Sequence, residues 1–297
     1  MSGARHHLKE ETMYEQSITR SRRTAFVILI DGSGSMSEEL LFQGRRTTKA
    51  EAVAAITNNL LFELIERARR NDGVRDYYDI AVLSYGGDDR VESLFAAGRE
   101  WLPVSELAAS GVPVGTATVE FRLPDGRSSL REIPAPQWIA PRAAGQTPMY
   151  EALLTARDLV SGWVVRPENA DSFPPVVFNI TDGEATDGDD EDLLTVCNQI
   201  KQLGTTDGRV LLINIHLATG DAARPVLFPS ADEARYPSRY ASLLYACSSE
   251  MPALFDPAIR AAKGPGALPP FRGMSYNAST AELISILNIG SISLKTE

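Results

Sequence analysis

Thr24-Ala-Phe-Val-Ile-Leu-Ile30 runs without a polar break into Asp31-Gly-Ser-Gly-Ser35. A short continuous apolar run of this kind is the mark of a strand covered on both faces, which parallel sheets require. The glycine-eased turn that follows carries an aspartate and two serines at alternate positions, able to aim three hard oxygens at one spot. Hard oxygens suit Mg²⁺, Mn²⁺ or Ca²⁺ rather than zinc. Taken alone, the same word reads equally well as an ordinary turn.

Outward from that strand, helices and strands alternate. Thr48-Lys-Ala-Glu51 has the form of a capping box. Val53, Ile56, Leu60, Leu64 and Ala68 then recur at helical spacing, so one face of this helix packs on a sheet. Asp79 to Tyr85 predicts a second strand and Arg90 to Phe95 a third beside it. Pro175 to Thr181 and Val210 to Leu217 are two more buried runs, and Met149 to Val160 and Asp190 to Leu203 read as helices. This order predicts an α/β fold: a doubly wound, mostly parallel central sheet with helices on both faces. A loose lead-in is expected over 1–23, with one domain over 24–297.

Two stretches break the rhythm. Residues 97–145 form a proline-rich insertion in which Thr116 to Leu123 alternates like a strand, Pro124-Asp-Gly126 reads as a turn, and Ser128 to Ile133 returns. A β-hairpin is expected there, off the main sheet or along its edge. Residues 220–270 hold eight prolines, from Pro225 to Pro270, and predict loops around short helices.

Composition narrows the partners. The formal charge is −10 over 297 residues, which disfavours nucleic acid and anionic membrane, since both call for a basic face. Cys197 and Cys247 make neither a disulfide framework nor a zinc motif. No stretch approaches the ~20 apolar residues of a membrane span, and the start shows no secretory signal. A cytoplasmic location is the expectation. His6 and His7 are read as idle.

Two further segments complete the chemistry. Asp182 closes the strand Val176 to Thr181 within Thr181-Asp-Gly-Glu184, where it is either a ligand or a turn and cap residue. In Gly145-Gln-Thr-Pro-Met149, Thr147 followed by Pro148 has the look of a helix cap with proline at the first helical position. Their joint placement favours a site, because loops at the carboxyl ends of neighbouring central strands converge on one crevice. The acidic run Asp182, Glu184, Asp187, Asp189, Asp190, Glu191 and Asp192 reads as the first turn of a helix, where carboxylates suit the positive dipole end. His216 reads as a core histidine. Arg20, Arg22 and Arg23 read as a small basic lead-in.

Asp31, Ser33, Ser35, Thr147 and Asp182, in that chain order, resemble the metal-ion-dependent adhesion site of von Willebrand factor type A domains. The words Asp-Gly-Ser-Gly-Ser-Met, Gln-Thr-Pro-Met and Ile-Thr-Asp-Gly-Glu-Ala-Thr-Asp look like those of bacterial stand-alone members. The resemblance covers Thr24 to Leu217 and a C-terminal helix near Thr280 to Leu287. It implies one divalent cation, Mg²⁺ before Mn²⁺ or Ca²⁺, with Ser33, Ser35 and Thr147 binding it directly and the aspartates acting through water. A protein partner's acidic side chain would complete the shell, and a terminal helix bearing Ala281, Leu283, Ile284, Leu287 and Ile289 would either slide or simply close the core. The expected function is metal-dependent protein binding without catalysis. An adaptor for an AAA-type ATPase is the alternative, and a metal-dependent hydrolase the third reading; no base and nucleophile are paired in the sequence. Oligomeric state is not legible.

Overall fold

The computed structural model describes residues 13–42, 45–87, 90–95, 98–122, 128–217, 225–230, 239–278 and 280–292. His6, His7 and the turn at Pro124 to Gly126 lie outside them, as do parts of the 220–270 stretch.

The sheet comprises β1 (Thr24–Gly32), β2 (Tyr78–Gly86), β3 (Arg90–Ser93), β4 (Leu102–Pro103), β5 (Val176–Thr181), β6 (Leu211–Leu217), β7 (Val226–Leu227) and β8 (Met274–Ala278). Their order is β7-β8-β6-β5-β1-β2-β3, and β4 pairs with the start of β2, beyond the end of β3. The pairs among β8, β6, β5, β1 and β2 are parallel; β3, β4 and β7 are antiparallel edges. The chain leaves β1 for β2 on one side and returns through β5 on the other. The winding direction therefore reverses between β1 and β5, the point where open sheets of this class leave a crevice.

Helices cover both faces. Phe26, Ile28 and Ile30 of β1 point into a core shared with α1 (Lys49–Ala68), α2 (Val104–Ala109) and the C-terminal helix, whereas Val27 and Leu29 face α3 (Met149–Val164) and α4 (Asp190–Gln202). Two short helices follow, α5 (Arg239–Cys247) and α6 (Asp256–Lys263), and α7 (Thr280–Ile292) closes the first core with Leu283, Ile286, Leu287 and Ile289. A buried polar ladder pins the register on one face. Tyr85 donates to Asn179, Asn179 to its cross-strand partner Asn214, and Asn214 to Ser248.

The capping box at Thr48 and Glu51 is present, with both reciprocal bonds formed. The hairpin pairs Val114–Arg122 with Ser128–Pro136 as a separate two-stranded sheet. The 97–145 stretch is not all decoration, because β4 and α2 inside it belong to the main body, with Val104 and Leu107 buried. Its return is tied to α1 by Asn58, which donates to the Ile139 carbonyl and accepts from the Trp138 and Ile139 amides.

The lead-in needs correcting. Ile18 is fully buried in the core, the Tyr14 amide donates to the Asp207 carbonyl, and the Glu15 and Gln16 amides donate to the Asp207 carboxylate. Residues 13–23 are therefore docked rather than loose: one apolar side chain among polar ones is enough to anchor a segment when a pocket waits for it. Three strands of the sheet carry no clear sequence signal: the two-residue edges β4 and β7, and β8. The β8 word Met-Ser-Tyr-Asn-Ala lacks a continuous apolar run, because at the sheet margin only part of it is buried. Cys197 and Cys247 are free and buried. No helix among the described residues is long and apolar enough to cross a membrane.

Candidate functional site

The site is built on the last residues of β1 and β5, which lie side by side at the winding reversal. Asp31 is fully buried. One of its carboxylate oxygens accepts from the Ser33 amide at 2.8 Å, and the other accepts from the Thr181 hydroxyl at 2.8 Å. Thr181 in turn accepts from the Gly183 amide, so β5 ends in a turn that grips the β1 aspartate. Burial pushes the Asp31 carboxyl above its ordinary value, with the neighbouring Asp182 adding to the push, and the hydrogen bonds from Ser33 and Thr181 oppose it. A buried carboxylate under that pressure is stabilised by any cation that comes near.

The turn after β1 runs through a short 3₁₀ helix, Gly34–Ser37. It sets the Ser33 and Ser35 hydroxyls 3.1 Å apart, and Ser35 donates to Asp182 Oδ1 at 2.6 Å. Four of the five expected residues thus form one hydrogen-bonded chain: Asp31, Ser33, Ser35, Asp182. Gly32 lets the end of β1 pack against β2 and the loop at Arg142, since a Cβ there would lie 2.6 Å from the Ser84 hydroxyl oxygen and 3.4 Å from the Arg142 Cβ.

Thr147 arrives by backbone stitching. The Gly34 amide donates to the Gly145 carbonyl and the Ala144 amide to the Gly32 carbonyl, while Thr147 and Thr186 exchange bonds in both directions. Gly145 sits at φ 75°, pressed on Gly87 so closely that a Cβ would stand 1.7 Å from the Gly87 carbonyl oxygen. The long insertion therefore still delivers this loop to the edge, and Thr147 is buried there. Its side chain does not cap α3; the cap position is Pro148, without a side-chain bond. Asp187 takes over that task from the neighbouring loop, accepting from the Tyr150 and Glu151 amides. Among the described residues the Thr147 hydroxyl bonds to none of the other four.

From Asp187 onward the acidic run is spent on helix starts. Asp189 caps α4 in a reciprocal box with Asp192, and Asp190 pairs with Arg239 of α5. The Tyr240 hydroxyl donates to the Gly183 carbonyl at 2.5 Å, so α5 buttresses the Asp182 loop. His216, level with Thr181 across the sheet, is stacked on Tyr276 and its Nδ1 accepts from the Asn277 amide at 3.4 Å. Burial first, and then the Lys49 charge, draw it down to about 4 despite Asp182, so its ring is neutral.

One residue was missed altogether. The ammonium of Lys49, a side chain almost wholly out of solvent, lies 2.8 Å from Asp182 Oδ2 and 2.6 Å from Glu38 Oε2. A lysine at the first position of α1 stands at the positive end of the helix dipole, where a cation is disfavoured. That local misfit was the signal available in the sequence.

The donor set fits a hard cation: two carboxylates and two hydroxyls in contact, with a third hydroxyl residue at the rim. Among the described residues no three His, Cys, Asp or Glu converge as a metal cluster, so hydroxyls must supply a large share of any protein shell here.

No family model and no curated protein matches the chain. Among solved structures, a von Willebrand factor type A protein from Catenulispora acidiphila is similar at 17% identity and TM-score 0.39, covering 66% of this chain and 34% of that one. Proximal thread matrix protein 1 from the mussel byssus, with a zinc-occupied MIDAS motif, is similar at 13% and 0.45, covering 90% and 47%. The vWF domain of the type V pili tip protein Mfa5 from Porphyromonas gingivalis is similar at 14% and 0.31, covering 58% and 48%. The chain spans less than half the length of each. With its winding reversal between β1 and β5 and its site words in the order Asp31, Ser33, Ser35, Thr147, Asp182, the chain has a von Willebrand factor type A-like fold.

Proposed function

We propose that the chain is a metal-dependent protein-binding module. In this reading Asp31, Ser33, Ser35, Thr147 and Asp182 hold one divalent cation, Mg²⁺ by the hardness of the oxygens, and a carboxylate from a protein partner completes its shell. The observation that carries the reading is the continuous chain from Asp31 through Ser33 and Ser35 to Asp182, assembled from two strand ends 147 residues apart at its closing bond. Two buried carboxylates and the buried Ser33 hydroxyl are brought together, with the exposed Ser35 bridging to Asp182, at a cost that a structural turn does not require. Binding rather than turnover is supported by His216, the imidazole near the site, which is stacked and buried instead of poised as a base.

The test is retention of a partner from host extract on immobilised wild type and Ser33→Ala, each in Mg²⁺ and in excess chelator. The reading expects a protein held by wild type in Mg²⁺, released by chelator and not held by Ser33→Ala. Equal retention in all four conditions contradicts it.

A further inference from the structure

We infer that Lys49 is a built-in counter-ion of this edge: it holds the Asp182 carboxylate in place while no divalent cation is bound, and it weakens the binding of one. The inference rests on the metal-binding reading above and adds the residue that sets its affinity.

Three observations converge. Lys49 Nζ lies 2.8 Å from Asp182 Oδ2, while Asp182 Oδ1 accepts from Ser35 at 2.6 Å, so the ammonium and the candidate metal ligands share one carboxylate. The side chains of Lys49 and Asp182 are both essentially excluded from water, at 2% and 0% exposure. A charge buried to that depth is retained only if it is paired. Lastly, the lysine sits at the start of α1, against the helix dipole, and its backbone amide donates to the Glu38 carbonyl while its ammonium meets the Glu38 carboxylate. Glu38 thus anchors the lysine at both ends, and its own side chain is half exposed. Where a residue defies a local rule inside an otherwise consistent helix, a site commonly demands it.

The consequence follows from charge. Asp31 and Asp182 together would attract a divalent cation with two negative charges, and Lys49 cancels one of them at contact distance. Repulsion between an ammonium and a divalent ion is felt strongly where water is excluded. Wild type therefore folds without metal and binds it modestly, so that a partner's carboxylate has more to add to the affinity.

The experiment is a calorimetric titration with Mg²⁺ and Mn²⁺ of the full chain and of Lys49→Met, Lys49→Gln and Lys49→Arg, with melting curves in chelator and in Mg²⁺. Lys49→Met removes the charge at similar volume; Lys49→Gln keeps a donor for Asp182 and serves if Lys49→Met does not fold. The neutral variants are expected to melt lower than wild type in chelator, to regain stability in Mg²⁺, and to bind Mg²⁺ at least tenfold tighter. Lys49→Arg is expected to stay near the wild-type affinity. Equal Mg²⁺ affinity in wild type and the neutral variants overturns the role of Lys49 and leaves the metal site standing. If none of the four proteins binds either cation, the metal-binding reading fails and this inference falls with it.

Discussion

At the amino edge of the sheet Asp79 sits between Arg23, whose Nη1 donates at 3.3 Å, and the indole of Trp163, which donates at 2.9 Å. At the carboxyl edge Asp182 sits between Lys49 and Ser35. Both carboxylates have one cationic and one neutral donor, and both tie distant parts of the chain together. Their donors differ in what else they could do. An indole N–H and a guanidinium can only donate, so Asp79 is fixed as a structural clasp. A serine hydroxyl also carries lone pairs, and Ser35 touches a second hydroxyl on Ser33. Under the metal-binding proposal, the cluster at the carboxyl edge would exchange a proton-sharing network for a cation and keep its scaffold, and the one at the amino edge would not. Similar ion pairs on one sheet are separated into clasp and site by whether the neutral partners can turn from donor to acceptor.

The largest effects should separate the two edges directly. Asp182→Ala strands the buried Lys49 ammonium with one partner and should cost about 3–5 kcal/mol in urea unfolding in chelator. Asp79→Ala orphans the Trp163 indole and leaves the partly exposed Arg23 with Asp76 alone, and should cost about 2–3 kcal/mol. Adding Mg²⁺ should stabilise wild type and Asp79→Ala alike and leave Asp182→Ala unmoved; equal Mg²⁺ responses in both variants would erase the distinction between clasp and site.

A pH series sharpens it further. His216 is lowered from 6.5 to about 4 by burial. The unfolded chain then binds the extra proton first, so stability is full above about pH 6.5 and falls as pH drops towards 4. A shift of that size corresponds to roughly 3 kcal/mol at most. His216→Gln should flatten this acid limb; an unchanged limb would assign the loss elsewhere. Smaller is Asp187→Ala, which removes the remote cap of α3 and should cost about 1 kcal/mol, read by urea midpoint. Smallest is Asp31→Asn. The Asp31 carboxyl is raised by burial, so the stability it contributes is present at low pH and lost as pH rises. In chelator at neutral pH the asparagine variant should match or exceed wild type by under about 1 kcal/mol, while losing its response to Mg²⁺.

Much of this was legible in the sequence. The buried strands, the capping box at Thr48 and the α4 start at Asp189 follow from local rules that the tertiary structure does not override. The joint placement of Asp31, Ser33, Ser35 and Asp182 followed from words at strand exits. What escaped was decided by packing across long separations. Ile18 fills a core position that no local pattern announces, and β8 is half a strand completed by its neighbour β6. Thr147 carries the word of a helix cap, yet Asp187 performs the capping from another loop, and no spacing rule connects the two. Lys49 is a lysine against the dipole of α1, and only the geometry shows which carboxylate it faces.

The most direct test of the account is crystallography of wild type grown in Mn²⁺, with anomalous scattering used to locate the ion. A peak is expected at the carboxyl edge within about 2.2 Å of the Ser33 and Ser35 hydroxyl oxygens, with the direct Ser35–Asp182 bond broken. An edge without an anomalous peak at saturating Mn²⁺, with Ser35 still bonded to Asp182, would contradict it.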